Sequence, residues 1–121
     1  MKVRRIKIGI KSVKSILDDF VKTGEAVERG EKVKKETGTY FTSLEAFRKA
    51  LTPKRMELLH IVRTERPSSI NELARMAKRD VKNVADDVKY LDQIGLIEKK
   101  KTKSRSAPVV TYEKLMLEIA V

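Results

Sequence analysis

The chain has 121 residues, 28 lysines and arginines against 17 carboxylates, one histidine and no cysteine. That is enough for one modest core, and it excludes a disulfide framework or a thiolate metal site. The net charge of +11 directs attention to polyanions, nucleic acid first and acidic membranes or proteins second.

Basic residues open the chain at Lys2, Arg4 and Arg5, but no apolar run of signal-peptide length follows them. Lysine or arginine interrupts every stretch long enough to span a bilayer. A cytoplasmic protein without a membrane partner is expected.

Ile6, Ile8 and Ile10 alternate with Arg5, Lys7 and Gly9, the period of a strand. The period then changes to helical spacing at Val13, Ile16, Leu17, Phe20 and Val21, with Ser12 placed as cap and Gly24 placed as stop. Residues 25–38 are polar and sign-mixed, a connector with room for a further helical turn at Ala26 and Val27. Thr39–Phe41 is β-prone.

Helices follow in quick succession. Ser43 can cap a short one with Leu44, Phe47 and Leu51 on one side. Thr52 and Pro53 open the next as cap and first helical residue. It turns Met56, Leu59 and Val62 to one face, with Leu58 beside them, and ends near Arg66-Pro67. Ser69 and Glu72 have capping-box spacing ahead of Ile70, Leu73, Ala74 and Ala77. After Lys78-Arg79-Asp80, a longer helix places Val81, Val84, Val88 and Leu91 inward and stops at Gly95. Leu96–Glu98 leads into the basic stretch 99–106, and Pro108–Tyr112 returns. Leu115, Leu117, Ile119 and Val121 then alternate as a terminal strand.

Helix, short helix, tight turn, longer helix and hairpin, in that order, make a winged helix-turn-helix. The expected fold is α+β, mainly α. Residues 1–42 form an N-terminal strand–helix extension for packing or dimerisation, and residues 43–121 form the winged domain with its C-terminal strand. Small residues, Ala74 and Ala77, let the two central helices approach closely. Residues 80–94 combine an apolar face with a polar N-terminal half suited to the major groove. The hairpin, 98–108, carries Lys99, Lys100, Lys101, Lys103 and Arg105 for phosphates. Such a charge run is ordinarily a solvated loop, and a helical pair is ordinarily just a hairpin. It is their adjacency that favours DNA.

Within this candidate interface, Asn83 can pair bidentately with adenine, and Lys82 can reach guanine or a phosphate. Asn83 could equally make a local bond to the backbone. Arg79 is assigned to a phosphate and Asp80 to the helix cap. Adjacent helical residues diverge by roughly 100°, so Asp86 is assigned to solvent or a base and Asp87 to the structure, with Lys82, Lys89 or Tyr90 as possible partners for either.

Residues 41–121 also resemble a family of small prokaryotic DNA-binding proteins with a MarR-type winged helix. The resemblance rests on Leu51-Thr52-Pro53-Lys54-Arg55, Glu72-Leu73-Ala74, Arg79 through Val84, and Leu91 through Ile97. It implies a role in transcription regulation. Relatives carry polar or basic residues where this chain has Ala85 and Asp86.

Catalysis finds no support. His60 is alone and lies inside a helix, the five glycines are scattered, and Asp18-Asp19 and Asp86-Asp87 diverge on their helices. No enzyme activity, cofactor or metal is expected. The expected partners are double-stranded DNA and a second copy of the chain, since apolar strands at both ends invite pairing. The N-terminal strand is expected to pair with the C-terminal one, within a chain or across a dimer. The alternative is an antitoxin-like protein-interaction module in which the N-terminal strand–helix covers another chain.

Overall fold

The computed structural model describes residues 4–31, 38–101 and 105–119. Among them the fold is α+β, with five helices and two small sheets. No helix is long and apolar enough to cross a membrane. Contacts divide the chain into two units, Ile6–Ala50 with Leu115–Val121, and Met1–Arg5 with Leu51–Lys114. The boundary expected after residue 42 therefore differs from this division. The helix after it and the C-terminal strand both group with the N-terminal segment.

The first unit is built on a three-stranded sheet. Strand β1 (Arg5–Ile10) lies between β2 (Gly38–Phe41) and β5 (Lys114–Ile119). The N- and C-terminal strands thus pair within one chain, and Lys7 bridges to Glu118 at 3.0 Å. β1 and β2 run parallel, with Ile8 opposite Thr39 and Ile10 opposite Phe41. A parallel pair needs a crossover, and helix α1 (Val13–Glu28) supplies it. Gly9 has no side chain because the Tyr40 ring occupies its place: a Cβ there would sit 2.6 Å from a ring carbon. Helix α2 (Leu44–Ala50) begins with the Ser43 hydroxyl accepting from the Ala46 amide, and Phe47 meets Phe41 edge to face at 5.8 Å.

One expectation for α1 needs correction. Ser12 does cap it, accepting from the Ser15 amide, but Gly24 does not end it. The helix continues for another turn to Glu28, and the left-handed backbone comes at Gly30, φ 75°. A mid-helix glycine costs only about 1 kcal/mol, and the Glu25-Ala26-Val27-Glu28 run carries the helix past it. Its apolar stripe lies open in the single chain. Val13, Leu17, Phe20, Val21 and Val27 are all exposed, Phe20 by 77%.

The second unit holds the larger core. Helices α3 (Pro53–Glu65), α4 (Ile70–Ala77) and α5 (Val81–Gln93) precede a hairpin of β3 (Glu98–Lys101) and β4 (Ser106–Val109). Leu58, Leu59, Val62, Leu73, Ala74, Val84, Val88, Leu91, Leu96 and Ile97 are buried. Met56 and Val81, expected inward, are exposed by 44% and 43%, and Leu58 is completely enclosed. Tyr112 closes this core: burial pushes its phenol well above the ordinary value, and the hydroxyl donates to the Leu96 carbonyl at 2.7 Å.

Candidate nucleic-acid interface

The geometry begins at the caps. Thr52 accepts from the Arg55 amide and Ser69 from the Glu72 amide. The Glu72 carboxylate accepts from the Ser68 hydroxyl at 2.6 Å, so only half of a capping box is shown. α4 ends at Lys78, whose left-handed backbone (φ 55°) lets the Arg79 amide donate to the Ala74 carbonyl. The turn then reaches Asp80, which caps α5 by accepting from the Lys82 amide. Three residues therefore reverse the chain between two packed helices. Ala74 is buried, as a small residue in a close helix pair is expected to be.

α5 has two different faces. Val84, Val88 and Leu91 are fully buried, while Lys82, Asn83 and Asp86 are exposed on the other side of its first two turns. Lys89 is exposed one turn further along the stripe of Lys82 and Asp86, and sequence reasoning did not single it out for the interface.

Asp87 faces structure, but its partners are neither of the expected lysines nor Tyr90. Its carboxylate accepts from Arg55 Nε at 3.0 Å and from Arg79 Nη2 at 2.8 Å. Burial alone would raise this carboxyl. The hydrogen bonds and charges of Arg79 and Arg55 outweigh that and hold it below the ordinary carboxylate value. Arg55 also lies over the Tyr90 ring at 4.2 Å.

Arg79, assigned to a phosphate, lies largely covered beside this carboxylate. Its side chain is 18% exposed and donates through Nη2 to Asp87. No local pattern could have announced the Arg55–Asp87 pair, since 32 residues separate its members.

After α5, Ile94 is the C-cap and Gly95 turns the chain with φ 82°. Leu96 and Ile97 are buried, and β3 follows with Lys99, Lys100 and Lys101 exposed. β4 returns antiparallel, with Lys99 opposite Pro108 and Lys100 opposite Ala107. The strand alternation sends Lys99 and Lys101 to one face of the hairpin and Lys100 to the other. Arg105 is exposed at the start of the return, and Lys103 lies outside the described residues. Among the described residues, no cluster of three or more histidine or carboxylate side chains could hold a metal.

The model of one family covers residues 50–117, a span that takes in α3 through the hairpin. The chain belongs to the HVO_A0114 family. No curated protein and no solved structure matches it. The HVO_A0114 match contains both faces of α5, the Arg55–Asp87–Arg79 network and the basic hairpin, and it leaves out β1, α1 and β2.

Proposed function

We propose that the chain is a cytoplasmic DNA-binding transcriptional regulator with a winged helix-turn-helix. In this reading α5 enters the major groove. Lys82 and Asn83 meet base edges, Asp86 accepts from a cytosine amino group or faces water, and Lys99, Lys100, Lys101, Lys103 and Arg105 meet phosphates. The observation that carries it is the pairing of an exposed polar stripe on the first turns of α5 with a lysine-rich hairpin directly behind the same helix. Arg79, tied to Asp87, acts as a positioning residue for the helix. No catalytic role is assigned.

Selection of bound fragments from random duplex DNA tests this. Enrichment of a palindromic motif supports the reading, and recovery of no sequence above background argues against it.

The reading includes a homodimer, because one groove-sized helix covers too few base pairs for a genome-scale choice. Among the described residues β5 is an edge strand, and Met116, Leu117 and Ile119 on it are exposed, Leu117 by 44%. Two β5 strands running antiparallel about a two-fold axis at Met116 would set Lys114 opposite Glu118 of the partner subunit and Leu115 opposite Leu117 of the partner subunit. Such a pairing matches charge with charge and apolar with apolar.

The uncovered apolar stripe of α1 favours a second reading, an antitoxin-like module whose helix is covered by another protein. Replacing Phe20 with glutamate separates the two: a regulator keeps its duplex affinity, whereas an interaction module loses its partner.

A further inference from the structure

Beside the hairpin, an open cleft of about 540 Å³ collects basic side chains from separate parts of the second unit. Arg4 comes from the segment before β1, Arg63 from the last turn of α3, Arg66 from its C-cap, and Lys100 from β3. Among the described residues, no carboxylate lines the cleft. Arg63 has a long ion pair with Glu113 at 3.4 Å outside the lining, which leaves the local charge strongly positive. Val62 and Pro67 give it an apolar floor.

We propose that this cleft binds phosphate groups. Four like charges, of which Arg63 makes a long pair with Glu113, repel one another, and a concave wall focuses their field until an anion enters. Arginine presents a planar fork matched to two oxygens of an oxyanion, and a tetrahedral phosphate has enough oxygens to engage several cations at once. Arg66 is held in a left-handed conformation, φ 49°, uncommon for a residue with a side chain, at the rim of the cleft. Lys100 reaches the cleft because alternation along β3 turns it away from Lys99 and Lys101. Its strand partner Ala107 lines the same wall. The size admits two linked phosphates, or one phosphate with an apolar body against the floor. Since β4 forms part of the wall, occupancy is coupled to the position of the hairpin.

The phosphate can come from a free small molecule or from the backbone of a bound duplex. The cleft does not depend on the DNA reading, and inorganic pyrophosphate is the probe. Calorimetric titration of the intact chain at low salt should give one saturable site. Replacing Arg4 by glutamine together with Arg66→Asn, asparagine being tolerant of the left-handed backbone, should weaken it at least about tenfold. Lys54→Gln, outside the cleft, should leave it unchanged, and thermal melting should find all three proteins folded. Absence of a saturable site, or equal affinity in the double variant, overturns the proposal.

A second arm assigns the source. Displacement of pyrophosphate by a 20-base-pair duplex identifies backbone phosphate, and undiminished pyrophosphate affinity on the duplex complex identifies a free phosphorylated ligand. A chain that takes pyrophosphate but no duplex would refute the regulator reading and leave the cleft standing.

Discussion

Arg79 donates to Asp87 at 2.8 Å across the turn that leads into α5, and Asp87 accepts on its other oxygen from Arg55 of α3. A single carboxylate of α5 thus ties α3 and the α4–α5 turn together at the base of the proposed reading head. Arg79 is thereby engaged within the fold, two residues ahead of that helix.

Asp87→Asn should therefore destabilise the protein. It removes the countercharge from two guanidiniums that are about four-fifths covered, and the expected loss is about 2–3 kcal/mol in urea denaturation at neutral pH. The pH dependence has a definite sign. A carboxyl held below its unfolded value contributes stability that is complete above the ordinary carboxylate pKa and disappears as pH falls through the lowered one. The variant should lose that part of the acid dependence. An unchanged acid limb would show that Asp87 has no share in it.

Tyr112→Phe should cost about 1–2 kcal/mol, because it leaves the Leu96 carbonyl in a buried position without its donor. Thermal unfolding compared with the parent measures it. A neutral substitution would mean that water replaces the hydroxyl.

Met116→Cys introduces the only cysteine in the chain. If two β5 edges pair about Met116, mild oxidation should give a disulfide-linked dimer, and Leu117→Lys should shift light-scattering mass from dimer toward monomer. A monomeric parent at micromolar concentration would rule out this pairing.

Asn83→Ala should lower affinity for the selected duplex by about 1–3 kcal/mol and leave affinity for a scrambled duplex nearly unchanged. Equal losses on both would assign Asn83 to the local structure of α5.

Much of this architecture is legible locally. Ser12, Ser43, Thr52-Pro53, Ser69 and Asp80 each mark a helix start because capping is settled within three residues. Alternation at Ile6–Ile10 and the turn at Gly95 are equally short-range. What the chain hides depends on distant partners. Whether Met56 or Leu58 is enclosed is decided by the helices packed on α3. The inward turn of Arg79 is decided by Asp87, and the parallel pairing of β1 with β2 depends on a crossover helix that runs through Gly24. In the candidate site, the exposure of Lys82 and Asn83 follows from helical period. The gathering of Arg4, Arg66 and Lys100 into one cleft is purely tertiary.

The most direct measurement is fluorescence anisotropy with the selected duplex as salt is varied, for the parent chain and for a variant with Lys99, Lys100 and Lys101 replaced by alanine. If α5 and the hairpin neutralise on the order of five phosphates, log affinity should fall against log salt with a slope near about −4 to −5, and the variant should bind every sequence more weakly with a shallower slope. Binding that is insensitive to salt, or a triple variant with the parent's affinity and slope, would contradict a nucleic-acid interface built on this helix and hairpin.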